Sequence, residues 1–280
     1  MTKSEKRAKQ MEAFSRILDV MDELREKCPW DREQTIASLR PMTIEETFEL
    51  SDAILNEDMF NISKELGDLL LHVIFYAKIG EEQGKFDIVD VIDRLCSKLI
   101  YRHPHVYSTV EVDNAGQVVQ NWEQLKTKEK DGNKTILSGV PESMPSMIKA
   151  YRMQEKASAV GFDWEKKEDV WAKVKEEIAE IEKEFLDMAE ILGKEAPAAS
   201  EVEACKARME SELGDLFFAL INACRLYGID PEGALERTNK KFIRRFNHLE
   251  QRAEEHGKSL REMTLAEMDS YWDEAKRMEK

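Results

Sequence analysis

Seven prolines and twelve glycines are all that interrupt 280 residues. Both residue types punctuate turns, so their scarcity argues against a turn-rich β fold and for long helices. The expected class is all-α. Cysteine is rarer still: Cys28, Cys96, Cys205 and Cys224. No two form a C-x-x-C pair, which argues against a zinc site or a redox motif. No stretch approaches the roughly 18 uninterrupted apolar residues of a membrane span. The opening MTKSEKRAKQMEAF also lacks the apolar segment of a secretory signal. The expectation is a cytoplasmic, reduced protein with no membrane partner. Positive charge is short as well, with 42 basic against 57 acidic residues and a net charge of −15. A general nucleic-acid binder carries a basic stripe, and none is present. Such a chain can reach a polyphosphate only through local Lys/Arg or a bound metal that reverses the field.

What the chain does have is a repeat. ELGD occurs at 65–68 and again at 212–215, each time opening an apolar run. TIEETFEL (43–50) matches VKEEIAEI (174–181) at an offset of 131 residues, and ELGD follows at 147. FDIVDVIDRLCSKLIYR (86–102) matches IDPEGALERTNKKFIRR (229–245) at 143, and NWEQLK (121–126) matches YWDEAK (271–276) at 150. Four blocks in one order with drifting offsets read as a duplicated domain with altered loops. The second copy is 16 residues longer between its first two blocks. The small, polar GKEAPAASEVEA (193–204) supplies a loop or helix extension there. KDGNKTILSGVPESMP (130–145) is the best connecting segment. The expected domains are 10–128 and 147–280, with 129–146 as linker.

Each half offers about four helices. Residues 43–56 have a half-buried periodicity, and 62–80 are apolar on most faces, as in a central helix. Residues 88–101 and 231–249 are amphipathic. Asp87 and Asp230 stand where N-caps belong, and Pro231 fits the first helical position.

Glu177 and Glu180 are three apart on one such helix, and Glu212 and Asp215 on the next; residues three apart share a helical face. Glu46, Glu49, Glu65 and Asp68 repeat the set. If the faces oppose each other, four carboxylates converge. Each like-charge pair at about 6 Å costs roughly 3 kcal/mol at an effective dielectric near 20. A divalent cation removes that cost, and an all-oxygen donor set selects Mg²⁺ or Mn²⁺. A single E-E-x-x-E is usually a solvated face; the ordered duplication favours metal. Gly67 and Gly214 cost about 1 kcal/mol each inside a helix. Close packing by a helix or a ligand would explain them. A di-iron bundle is the nearest rival, but it wants Glu-x-x-His pairs. His72 has Ala219 as its counterpart, so the histidine does not repeat with the acids and reads as a core or supporting residue.

Lys241 and Arg245 share a face beside Arg244, and Lys98 and Arg102 repeat the pair. Such cations suit phosphate oxygens. Taken alone, they are more often cations balancing a helix C-terminus. Trp272 and Trp122 recur too; each could stack on a base or fill core, and core is the commoner use of a lone Trp.

CPWDREQTIASLRPMTIEETFEL, ELGDLLLHVIFYAKI and RHPHVY resemble the first domain of the MazG family of nucleoside triphosphate pyrophosphohydrolases. VGFDWEKKEDVWAKVKEEIAEI, ELGDLFFALINACRL and NKKFIRRF resemble its second, so the likeness covers nearly the whole chain. It implies an all-α, dimeric, Mg²⁺-dependent enzyme that hydrolyses nucleoside triphosphates to monophosphate and pyrophosphate. It further implies that Glu177, Glu180, Glu212 and Asp215 hold Mg²⁺, with a matching acidic set in the first domain. Lys241 and Arg245 would bind phosphates, and Trp272 falls where the family has a nucleotide-contacting Trp. Water would attack the α-phosphorus, with Glu176 or Glu180 taking its proton. Two other classes compete: a non-catalytic metal-binding scaffold, and a narrow house-cleaning hydrolase for modified nucleotides.

Overall fold

The computed structural model describes residues 1–128 and 135–279. Among them every regular element is helical, and no strand occurs. Most of the expected linker lies within the described residues, but 129–134 do not. The chain divides into two compact units, Met1–Val112 and Asp113–Lys280.

The first unit contains α1 (Lys3–Lys27), α2 (Pro29–Glu33), α3 (Ile36–Leu55), α4 (Met59–Glu82), α5 (Ile88–Arg102) and α6 (Pro104–Tyr107). Its core joins Met21 of α1, Leu39 of α3, and Ile74, Phe75 and Ile79 of α4. Each such side chain contributes about 1.5–3 kcal/mol on leaving water. The α4–α5 turn is tight. A Cβ on Gly80 would lie 2.7 Å from the Phe86 carbonyl oxygen, so only glycine lets the chain fold back there. Asp87 then caps α5 by accepting from the Asp90 backbone N–H at 2.9 Å, as its position in the sequence predicts.

The second unit contains α7 (Ala115–Lys128), α8 (Ser146–Ser158), α9 (Val170–Leu192), α10 (Ala199–Leu226), α11 (Pro231–Glu255) and α12 (Leu265–Met278). Helices α9 and α10 pack along their lengths, closing Val170 and Val174 against Ala219 and Ala223. Asp230 caps α11, with Pro231 at its first position. The extra segment at 193–204 does two things: residues up to Ala198 form the connection, and Ala199 onward lengthens α10.

Helix α4 is less central than its composition suggests. Its core face is buried, but Leu66, Leu70 and Val73 stay 43–53% exposed. Their counterparts on α10, Leu213, Phe217 and Leu220, are 38–56% exposed. Both ELGD helices therefore present the same apolar stripe. No helix is long and apolar enough to cross a membrane among the described residues.

Candidate active site

The acidic sets gather as two triads. In the second unit, carboxylate oxygens of Glu177, Glu212 and Asp215 all lie within 4.8 Å of one another. In the first unit, Glu46, Glu49 and Glu65 do the same. Glu180 and Asp68 stand outside these close sets but within electrostatic reach. Burial first, then the charges of Glu177 and Glu212, raises the Glu180 pKa above the ordinary carboxylate range. Burial first, then Asp68, Glu49 and Glu65, does the same for Glu46.

In the sequence, ELGD opens an apolar run each time. In the structure the acids lie well inside their helices: α10 starts thirteen residues before Glu212. No helix N-terminus stabilises these charges, since that effect fades within the first turn. Lysines partly do. Lys173 Nζ lies 2.7 Å from Glu177 Oε1 and 2.8 Å from Glu176. Lys64 Nζ lies 2.9 Å from Glu65 Oε1. Glu177 and Glu65 are nearly fully buried, and Glu65 Oε2 has no hydrogen-bond partner among the described residues. Buried carboxylates in an all-oxygen cluster, with one oxygen orphaned, fit a hard divalent cation.

The glycines between the acids are not explained by packing among the described residues. A Cβ on Gly67 or Gly214 would meet no atom within 4 Å.

A cavity of about 670 Å³ adjoins the second triad, with Glu177, Asp215 and Lys173 in its wall. That volume suits a small-molecule ligand. Trp164, Phe162 and Phe218 give it apolar sides. Arg225 supports one edge, pairing with Asp163 and donating to Asn222 Oδ1 from Nε at 3.0 Å. Ala219 also lines the cavity. Its counterpart His72 is buried in the first unit, with Nδ1 2.8 Å from Thr43 Oγ1, which itself lies 2.7 Å from the Tyr76 hydroxyl. Burial lowers the His72 pKa, which favours the neutral imidazole. The small residue leaves room in one copy where the ring fills it in the other.

The cations expected to bind phosphate lie away from this cavity's wall. The cavity wall contains none of Lys241, Arg244, Arg245 and Trp272. Arg245 pairs with Glu279 at 2.6 Å, Arg244 lies 3.6 Å from the same carboxylate, and the Arg245 guanidinium lies 5.8 Å from the Trp272 ring centre. Trp272 also packs against Phe242 at 5.1 Å. Helix α11 runs on to Glu255, so Lys241 and Arg245 sit mid-helix and do not balance its C-terminus. Arg102 does stand in the last turn of α5, with Lys98 exposed one turn before it. Lys173 and Gln154 escaped the sequence reading. Lys173 had a signal, its i, i+4 spacing to Glu177. Gln154 had none, because a single amide on an amphipathic helix forms no pattern.

Comparison with known proteins gives the site its context. The MazG nucleotide pyrophosphohydrolase domain matches residues 34–107 and 166–250, one segment in each unit. The nucleoside triphosphate pyrophosphohydrolase of Escherichia coli K12 is 38% identical over 274 residues, covering 96% of this chain and 99% of that protein. The nucleoside triphosphate pyrophosphohydrolase/pyrophosphatase MazG of Thermotoga maritima is 40% identical over 268 residues, covering 94% and 95%. An uncharacterized Bacillus subtilis protein, YabN, is 43% identical over 270 residues, 95% of this chain and 52% of its own length. The chain belongs to the MazG family of nucleoside triphosphate pyrophosphohydrolases and carries the family's domain twice.

Proposed function

We propose that this protein hydrolyses nucleoside triphosphates to monophosphates and pyrophosphate, with the second unit as the working site. One observation carries the assignment to that unit: the carboxylate triad Glu177, Glu212 and Asp215 borders a cavity of nucleotide-sized volume. In the reaction, the oxygen of water bonds to the α-phosphorus, the bridging α–β P–O bond breaks, and pyrophosphate leaves. A Mg²⁺ or Mn²⁺ ion held by Glu177, Glu212 and Asp215 would supply charge neutralisation at the phosphates and acidify water. Lys173, on the cavity wall beside the triad, offsets phosphate charge. The water's proton has two candidate acceptors. Glu176 is engaged by Lys173 at 2.8 Å, whereas Glu180 stands outside the close triad, which favours Glu180. Lys241, Arg244, Arg245 and Trp272 form a second cationic and aromatic face for phosphates or nucleoside. Lys98 and Arg102 correspond to it in the first copy, whose triad we read as a second metal site.

We also infer a homodimer. The exposed stripes of α4 and α10, each beside a glycine whose Cβ position is clear, are suited to helix packing against a second copy. Residues 10–128 and 147–280 are taken as the two copies of the repeat, joined by 129–146. The four cysteines are unpaired, which suits a reducing cytoplasm. The test is a product assay with the eight common NTPs and dNTPs, in Mg²⁺ and in EDTA. Mg²⁺-dependent monophosphate and pyrophosphate is the expected result. Diphosphate and phosphate would mean attack at the γ-phosphorus and overturn the mechanism. No product with any of them would favour the scaffold or modified-nucleotide readings.

A further inference from the structure

Gln154 is 6% exposed on α8 and lines the cavity beside the acidic triad. Its Nε2 donates to the Phe218 carbonyl oxygen at 2.9 Å. A carbonyl only accepts, so this contact fixes which end of the amide is nitrogen. The other end is Oε1, an acceptor, and it is buried with no hydrogen-bond partner among the described residues. A buried polar atom left unpaired calls for an explanation, and a ligand donor is one. The neighbouring amide is fixed by the same logic. Arg225 has only donors, and it donates to Asn222 at 3.0 and 2.9 Å. That contact is therefore Asn222 Oδ1, which leaves the Asn222 Nδ2 as a donor on the same wall. The same wall includes Trp164 and Phe218, aromatic residues that suit the faces of a flat heterocycle.

We propose that the cavity holds the nucleobase and that Gln154 reads it, its Oε1 accepting an N–H from the base's pairing edge. This rests on the triphosphate-hydrolysis reading above. Adenine, guanine, cytosine and uracil each carry an N–H on that edge. A single acceptor therefore does not choose among them, and it rejects a base that has none. Gln154 is in this view a specificity residue for an N–H donor, not for one base.

The test compares ATP with purine riboside triphosphate, which differs from ATP only in lacking the amino group. The assay follows kcat and KM for monophosphate release in Mg²⁺. The wild-type protein should prefer ATP about tenfold or more in kcat/KM, mostly through KM, the scale of leaving a buried acceptor without its donor. In Gln154→Met, which keeps length and removes the acceptor, the two substrates should become equal within about twofold. If the variant slows both substrates by the same factor and keeps the preference, Gln154 merely ties α8 to α10, and the proposal fails. The wild-type comparison needs no variant: equal kcat/KM for the two substrates overturns it outright. A wild-type protein that cleaves no common triphosphate instead overturns the reaction assignment, and this inference falls with it.

Discussion

The ammonium of Lys173 sits 2.7 Å from Oε1 of Glu177, one helical turn away, at the wall of the cavity. Its hydrogen bonds to Glu176 and Glu177 hold the lysine pKa above its ordinary value. The lysine thus puts positive charge where the triad would hold a cation. Removing it by Lys173→Met should tighten Mn²⁺ binding roughly tenfold without nucleotide, because a competing charge is gone, about 1.4 kcal/mol. The same change should raise KM for a triphosphate, since the phosphates lose a partner. Calorimetric titration and steady-state kinetics on one preparation read both signs. Weaker Mn²⁺ binding would show instead that the lysine holds Glu177 in its binding geometry.

Glu177 is 3% exposed and belongs to the triad on the cavity wall. Glu177→Gln keeps the volume and removes the charge. Turnover should fall at least about a hundredfold, the scale on which electrostatic contacts to a transition state act. Helical circular dichroism should be retained. Glu65→Gln, the same change in the first unit, should keep most of the activity. A variant at Glu177 with normal turnover would remove the second unit from the mechanism.

An ion pair at the start of α12 is one that acid will break. Glu267 accepts from Lys258 Nζ and from the Thr264 backbone N–H at 2.9 Å. The Lys258 hydrogen bond first, and the Thr264 N–H second, lower its pKa from the ordinary 4.5 to about 2. A carboxylate whose folded pKa is depressed stabilises the fold fully above its unfolded pKa. That contribution is lost as pH falls through the folded value. Thermal melts between about pH 5 and about pH 2 should therefore drop more steeply for the wild type than for Glu267→Gln. Parallel curves would show that the pair contributes nothing to stability.

Leu213, Phe217 and Leu220 form an exposed stripe on α10, and Leu66, Leu70 and Val73 repeat it on α4. Phe217→Asp should convert the proposed dimer to monomer in sedimentation velocity. Gly214→Ala adds a methyl group that meets no atom within 4 Å among the described residues. It should stabilise a monomer by about 1 kcal/mol through helix propensity, yet weaken self-association if a partner helix approaches there. A wild-type protein that sediments as a monomer at all concentrations would exclude the dimer.

Much of this molecule was written locally. The helical class, the Asp87 and Asp230 caps and the i, i+3 acidic pairs follow from neighbours a few residues apart, and the duplication from matching one half of the chain against the other. The 3.6-residue period and capping chemistry act within single helices, so sequence spacing is enough to read them. Sequence spacing also exposed the i, i+3 carboxylate pairs. What it could not say was which members of each set would meet. Glu177 joins Glu212 and Asp215 while Glu180 stands apart, a choice set by how α9 docks on α10 rather than by spacing along either helix. Arg245, read as a phosphate ligand, faces Glu279 across α11 and α12, a partner 34 residues away. Gln154 and Phe218 lie 64 residues apart and gain their relation only when α8 packs on α10. Helix periodicity fixes which residues share a face; the docking of one helix on another fixes which faces share a cavity, and that information resides in no single stretch of chain.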